Sequence, residues 1–190
     1  MTASMARFML LCFCVFGSGM TAAQPLTTGE LQKMLQSAPK VDTPFHEQRQ
    51  SPWLASPVES RGIVRSLPHG LEKQVESPKR ETWRLLSDRL EWTGPDGIGN
   101  KQILFSKAPA LAALSDAMRR VVAGDLLALA RDFQITVQGD STLWTARLQP
   151  NSVEVSRHLD HLEMQGAGNQ LLVLIVLERK GERTMTRFYP

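Results

Sequence analysis

QLLVLIVLERKGERTMTRFY, residues 170–189, is the stretch that decides the fold. It opens with a run of seven apolar residues, Leu171–Leu177, which is too short for a membrane-spanning helix of ~20 residues and suits a buried strand. Arg179-Lys180-Gly181-Glu182 follows, and a second strand-like run continues to Tyr189. Because a glycine-containing turn separates the two runs, the stretch predicts a β-hairpin with strands at 170–178 and 183–189.

Similar short segments fill most of the chain. Six precede residue 106, at 45–50, 60–67, 71–77, 81–87, 89–93 and 102–105, and three more precede the hairpin, at 134–138, 143–148 and 153–165. Pro68-His69-Gly70 and Gly94-Pro95-Asp96-Gly97 are turn sequences between them. Strands at spacings of about ten residues are typical of an antiparallel meander rather than of alternating strands and helices. The sequence therefore predicts about 11 strands.

Three segments have a helical period instead. Thr27 and Glu30 have the spacing of a capping box, which predicts a short amphipathic helix ending near Ser37. A helical pair is predicted midway, with Ser106 as a plausible N-cap and an interruption at Gly124. The apolar positions of this pair are Leu111, Leu114, Met118, Val121, Leu126, Leu129, Ala130 and Phe133.

These elements define an α+β fold that is mainly β. A sheet of about 11 antiparallel strands curls rather than staying flat. Three amphipathic helices can cover one opening of the curled sheet but not both of its faces. We therefore predict an incomplete antiparallel β-barrel closed by a helical lid, whose interior is larger than side chains fill.

The first 23 residues predict a secretory signal peptide. Arg7 precedes a nine-residue apolar run, Phe8–Phe16, and Thr21-Ala22-Ala23 offers small residues for cleavage before Gln24. The run is well short of the ~20 residues that a spanning helix needs. The predicted organisation is a signal peptide at 1–23, cleaved near Ala23, and one domain at 24–190.

Cysteine usage separates this signal from that of a lipoprotein. A lipobox has a small residue before its cysteine, whereas Leu11 precedes Cys12 and Phe13 precedes Cys14. Both cysteines leave with the signal, so the mature chain would contain no disulfide, thiolate nucleophile or Cys-ligated metal. Its net charge would fall from +3 to +2, since Arg7 is the only charged residue removed. This small charge gives no reason to expect nucleic-acid binding.

Polar motifs do not point to catalysis. His158 and His161 invite a metal site, but residues three apart on a strand lie on opposite faces and cannot chelate together. The chain has no Gly-x-Ser-x-Gly elbow, and the glycines at 94–99 lack the Lys-Ser/Thr ending of a phosphate loop. We therefore predict no enzyme, no metal and no cofactor.

Apolar residues are the stronger candidates for function. Aromatic side chains lie on segments predicted to line one concave surface, and unbranched Met34 and Met118 could adapt to ligands of varied shape. A packed core and an acyl-binding cavity use the same residue types, so composition leaves both alternatives open. The aromatic set is Trp53, Trp83, Trp92, Trp144, Phe105 and Phe133.

Several short motifs occur in a fixed order along nearly all of the mature chain. They are Phe45-His46-Glu47-Gln48-Arg49, Gly62-Ile63-Val64 with Leu67-Pro68, Leu71–Pro78, Leu86-Ser87-Asp88, Leu126–Phe133, Trp144-Thr145-Ala146-Arg147-Leu148-Gln149-Pro150 and Arg179–Phe188. In this order they resemble the periplasmic outer-membrane lipoprotein carrier family (LolA), as a diverged member. The resemblance implies an incomplete barrel with a helical lid.

The resemblance also implies a function. The family takes lipoproteins from an inner-membrane transporter, shields their acyl chains and passes them to an outer-membrane acceptor, without covalent chemistry. The sequence departs from the family at Leu67, where the family has a lid-latching arginine, and at Leu71, where it has an aromatic. Arg65 is the nearest arginine to that position. The usual handover cycle is therefore in question.

The sequence thus predicts a monomeric periplasmic carrier of acyl chains. The predicted lipid-binding residues are Leu71, Trp83, Trp92 and Phe105 from the sheet and Leu114, Met118 and Leu126 from the lid. Two alternatives remain: a dedicated carrier for one non-protein lipid, and a sensor or interaction module that uses the same fold without transport.

Overall fold

The computed structural model describes residues 25–190, and the predicted signal peptide lies outside them. All 11 strands belong to one antiparallel sheet. They are β1 (Thr43–Gln50), β2 (Val58–Leu67), β3 (Gly70–Ser77), β4 (Glu81–Leu86), β5 (Arg89–Thr93), β6 (Asn100–Leu104), β7 (Phe133–Gly139), β8 (Leu143–Pro150), β9 (Leu159–Ala167), β10 (Gln170–Glu178) and β11 (Arg183–Phe188). The helices are α1 (Thr28–Gln36), α2 (Pro109–Ala123), α3 (Leu126–Leu129) and α4 (Val153–Ser156).

Two meanders joined side by side form the sheet. β1–β6 and β7–β11 each run in chain order, and β11 closes the gap between them by pairing with β1, where Phe188 lies opposite Phe45. β6 and β7 are the two edges, so the sheet stays open and is not closed into a barrel. The predicted hairpin forms as β10 and β11, and the predicted mainly-β fold of about 11 strands is confirmed.

The predicted N-terminal capping box is also present. The backbone N–H of Glu30 donates to Thr27 Oγ1 at 3.2 Å, and the backbone N–H of Thr27 donates to Glu30 Oε2 at 2.9 Å. These bonds satisfy two groups that helix geometry leaves open at an N-terminus. Leu31 and Leu35 on the same helix are buried.

Four local predictions are wrong. Residues 153–156 form the helical turn α4 rather than the start of a strand, because Ser152 Oγ accepts from the Val155 N–H and caps that turn. Phe105 does not end a strand but begins a 3₁₀ turn, after which α2 starts at Pro109 with Ala108, not Ser106, as its N-cap. The second predicted helix, 126–133, is the single turn α3, and Phe133 already belongs to β7.

The main core lies on the concave face of β7–β10. There α1, α2 and α3 cover alternate strand residues, and Leu31, Leu126 and Leu148 are 0% exposed. Full burial of a leucine contributes about 1.5–3 kcal/mol. Trp144 is part of this core, whereas Trp53 is 77% exposed in the loop before β2 and does not line the concave surface as predicted. Among residues 25–190, no helix is long and apolar enough to cross a membrane.

Close packing around Trp144 requires glycine at position 166. The Trp144 indole N–H donates to the Gly168 carbonyl at 2.9 Å. A Cβ on Gly166 would lie 2.1 Å from Trp144 Cζ2 and 2.3 Å from the Gln170 carbonyl oxygen, far inside van der Waals contact.

Candidate functional site

The helix α2 covers the concave face and is called the lid helix below. Only Ser115, Ala117 and Val121 of its side chains are buried. Its apolar face, including Leu114 and Met118, is half-buried against the sheet and the main core. A helix that is held by half-buried side chains leaves space beneath it, and cavities lie along its length.

The first space, the sheet cavity, lies between the N-terminal half of the lid helix and β1–β5. It has a volume of about 300 Å³. Three of the predicted lipid-binding residues, Trp83, Leu114 and Met118, meet here and line it. Its other apolar lining comes from Val75, Leu85, Leu90 and Leu111.

The sheet cavity also has polar groups on its strand side. Lys73 Nζ lies 2.6 Å from Glu47 Oε1, and Thr186 Oγ1 donates to Glu47 Oε2 at 2.8 Å. Lys73 Nζ is also 4.9 Å from the centre of the Phe45 ring, in cation–π range. In this ion pair, called the polar floor below, each charge has an opposite charge as its partner, so an apolar ligand above it leaves neither Glu47 nor Lys73 as an unpaired charge.

Two tryptophans adjoin the sheet cavity and share one carboxylate. The indole N–H groups of Trp83 and Trp92 donate to the two oxygens of Glu81, at 3.0 and 2.9 Å. The two rings are 6.1 Å apart and tilted by 49°. Trp92 packs against the turn at Gly94 and under Lys101, and it is not among the cavity-lining residues. Glu81 thus fixes the orientation of the aromatic wall.

The second space, the end cavity, lies under the C-terminal half of the lid helix. It has a volume of about 220 Å³ and mainly apolar walls. They include Leu35, Val41, Val64, Val122, Leu171 and Phe188. A buried cluster of Phe45, Val64, Leu71 and Val75 contributes Val64 to the end cavity and Val75 to the sheet cavity, so it forms the partition between them.

A third space, the acidic cavity, opens at the N-terminal end of the lid helix. It has a volume of about 480 Å³, and Leu111 and Leu114 line it as well as the sheet cavity. Glu154, His158 and Glu178 supply its polar side. Burial, followed by repulsion from Glu182, raises the pKa of Glu178 above its ordinary value.

The other predicted site residues lie outside the three cavities. Leu71 belongs to the partition, Phe105 is buried in the turn before the lid helix, and Leu126 is fully buried in the main core. The polar residues Glu47, Lys73 and Glu81 were not predicted. Strand alternation could have found them, since each lies two positions from an apolar concave residue: Phe45, Val75 and Trp83.

The position of the lid-latching arginine also differs from the family pattern. Leu67, at the end of β2, is half-buried. Arg65 does not take its place, because its guanidinium lies 3.1 Å from Glu72 and 3.0 Å from Asp42. In the described residues, no group of three His, Cys, Asp or Glu side chains could hold a metal ion.

An open, curled sheet whose concave face is covered by a helix over apolar cavities is the architecture of a binding protein for apolar ligands. The family described as "Outer membrane lipoprotein carrier protein LolA-like" matches residues 21–188. The chain belongs to this LolA-like family. No curated protein matches the sequence.

Two solved structures are similar to this chain. A LolA superfamily protein from Nitrosomonas europaea is 11% identical, with a TM-score of 0.42 over 87% of this chain and 92% of that chain. A DUF1329 family protein from Desulfovibrio piger is 8% identical, with a TM-score of 0.45 over 85% of this chain and 90% of that chain.

Proposed function

We propose that the protein is a periplasmic carrier, which binds the acyl chains of lipoproteins or related lipids beneath the lid helix and shuttles them from the inner towards the outer membrane. One observation carries the proposal: in a chain of the LolA-like family, the lid helix lies on the concave face through half-buried apolar side chains, with apolar cavities on both sides of a partition.

The cavity volumes imply that the lid helix moves when cargo binds. Ligand pockets typically measure ~300–1,000 Å³. The sheet cavity, at about 300 Å³, is at the bottom of this range and the end cavity, at about 220 Å³, is below it. A long acyl chain therefore needs the partition or the lid helix to shift. The bound acyl chain then replaces contacts between the lid helix and the sheet with contacts between itself and the protein.

This exchange keeps binding reversible. Burial of apolar surface contributes ~0.8 kcal/mol per CH₂, so a palmitoyl chain gains ~10 kcal/mol before any cost. Displaced contacts of Leu111, Leu114 and Met118 offset part of that gain. A lid with two such states releases its cargo whenever an acceptor binds the open state better.

Transport needs partners on both membranes. The proposed partners are an inner-membrane transporter that loads the carrier and an outer-membrane acceptor that unloads it; membership of the LolA-like family supports them. The predicted signal peptide, cleaved near Ala23, would deliver a free monomer to the periplasm. No covalent chemistry is required at any step.

A dedicated carrier for one non-protein lipid is the second candidate function. Two observations favour it: the cavities are small for the several acyl chains of a lipoprotein, and Leu67 stands where the family has its lid-latching arginine. A non-transporting sensor on the same fold is a third candidate, which binds no stored lipid.

Mass spectrometry of organic extracts tests these functions. The protein is purified from its native periplasm without detergent, in parallel with Leu114→Asp as a matched variant whose lid face carries a charge. Lipopeptides in the wild-type extract and not in the variant extract support general lipoprotein transport. A single non-protein lipid supports the dedicated carrier. Empty protein from cells that make both cargo classes contradicts the carrier proposal.

A further inference from the structure

A fourth space beside the lid helix differs from the other three in its chemistry. This basic cavity has a volume of about 490 Å³ and lies between the C-terminal half of the lid helix and the turn that joins β2 to β3. Its walls are mostly polar, and they include three cationic side chains, Lys40, Arg119 and Arg120. Ser66 and Ser87 also line it.

Two carboxylates line the same cavity, and they accept hydrogen bonds from only some of the donors of its cationic side chains. Asp116 accepts from both Arg119 and Arg120, and Asp125 accepts from Arg120 Nη1 at 3.3 Å. Arg119 has five N–H donors. Its Nε is buried and has no hydrogen-bond partner within residues 25–190. Because the Nε surface is closed to water, a ligand in the cavity would reach the other donors of the guanidinium, and the Arg119 side chain is 23% exposed.

The basic cavity adjoins the apolar end cavity. Ser66 and Val122 line both of them. On the segment after α1, Pro39 and Val41 line the end cavity, whereas Lys40 between them lines the basic cavity. The two cavities are therefore neighbours, and their lining changes from apolar to cationic across a single residue of this segment.

We propose that the basic cavity binds the oxyanion of an amphiphile whose chain occupies the end cavity. A phosphate or carboxylate headgroup would accept from Lys40 and from the guanidinium of Arg119, as these groups do in charge-assisted hydrogen bonds. The inference rests on the proposed carrier function and specifies its cargo: an anionic lipid rather than a neutral one.

Three compounds test the proposal by calorimetry below their micellar concentrations. Dodecyl phosphate presents chain and oxyanion together, dodecanol presents the chain alone, and inorganic phosphate presents the oxyanion alone. We expect the wild type to bind dodecyl phosphate at least about tenfold more tightly than dodecanol, equivalent to ~1.4 kcal/mol. Arg119→Gln should abolish most of this preference while leaving dodecanol binding unchanged.

Further variants keep the test independent of the Arg119–Asp116 ion pair. Lys40→Gln, which removes no ion pair among the described residues, should lower the preference about threefold or more. Lys107→Gln, an exposed cation before the lid helix that lines none of these cavities, should leave it unchanged. Added salt should weaken dodecyl phosphate binding only.

The outcomes separate the inference from the function on which it depends. Equal affinity of the wild type for dodecyl phosphate and dodecanol overturns the oxyanion site while the carrier function stands. An equal loss of affinity for both compounds in Lys40→Gln has the same meaning. Binding of inorganic phosphate without any preference between amphiphiles also overturns it, because the site would then serve a free anion. No binding of either amphiphile contradicts the carrier function itself.

Discussion

A charge at position 114 tests most directly whether acyl chains bind beneath the lid helix. Leu114 lines both the sheet cavity and the acidic cavity and packs against the main core. In Leu114→Asp, an acyl chain can pack on the new side chain only after the carboxyl is protonated or turned away. With an ordinary pKa of ~3.9, protonation at about pH 7 costs ~4 kcal/mol, at ~1.36 kcal/mol per pH unit.

The lost leucine adds to this cost. Half of the ~1.5–3 kcal/mol of a fully buried leucine is about 1 kcal/mol, and this cost remains even if the carboxylate turns into water. The affinity for a fluorescent palmitoyl probe should therefore fall at least about fivefold, from the lost leucine alone, and up to about five thousandfold where the two costs add to ~5 kcal/mol. Where protonation dominates, the loss shrinks up to about a hundredfold between about pH 7 and pH 5.

Two controls isolate the cavity effect. Leu114→Met keeps an apolar side chain and should bind the probe nearly as the wild type does. Ala112→Asp adds the same charge to the same helix at about 160° from position 114, since successive residues turn by about 100°. Far-UV dichroism checks that all variants are folded. If folded Leu114→Asp binds the probe as tightly as Leu114→Met at neutral pH, acyl chains do not lie beneath the lid helix.

Two further predictions concern stability. Gly166→Ala should lower the free energy of unfolding in urea by about 1–3 kcal/mol, because its Cβ would overlap Trp144 and the Gln170 carbonyl; an unchanged midpoint would contradict the packing described. Glu178→Gln should raise the melting temperature at neutral pH, because the pKa of Glu178 is raised on folding and the folded state therefore loses stability as pH rises through that value. The difference should vanish in acid, and an equal difference at both pH values would contradict this assignment.

The sheet could be predicted because short segments of the sequence specify its strands and turns. The apolar run Leu171–Leu177, the turn at Gly181 and the period-two segments each specify a strand or a hairpin without knowledge of the rest of the chain. The failures are local too, but they depend on single hydrogen bonds. One bond to Ser152 decides that residues 153–156 form a helical turn, and an apolar pattern carries no information about it.

The site was harder to predict because a packed core and a ligand cavity are lined by apolar residues at the same sequence spacing. Trp83, Leu114 and Met118 meet at the sheet cavity, as alternation and helical spacing indicated. Leu126 satisfies the same pattern, yet it fills the core because α3, which carries it, packs against Leu31 and Leu35 of α1. The distance between a helix and the sheet beneath it depends on packing between residues far apart in the chain, and a single sequence does not contain that distance.

The two ends of the lid helix differ in how firmly they are held, and this difference bears on how cargo enters. Towards the C-terminal end, Val121, Leu126 and Leu129 are at most 1% exposed, and Gly124 ends the helix in a left-handed conformation. Towards the N-terminal end, Leu111 and Leu114 remain partly exposed above the polar floor.

Opening at the N-terminal end is therefore the less costly motion. Exposure of apolar surface costs ~25 cal/mol per Å², whereas the Glu47–Lys73 pair of the polar floor regains hydration when the lid helix lifts. An all-apolar floor would hold the cavity more tightly shut. The ion pair thus lowers the free-energy difference between closed and open states at the entrance, while the buried C-terminal end keeps the lid helix attached. The proposed carrier function needs this balance, because loading and unloading would take place without an energy source in the protein itself.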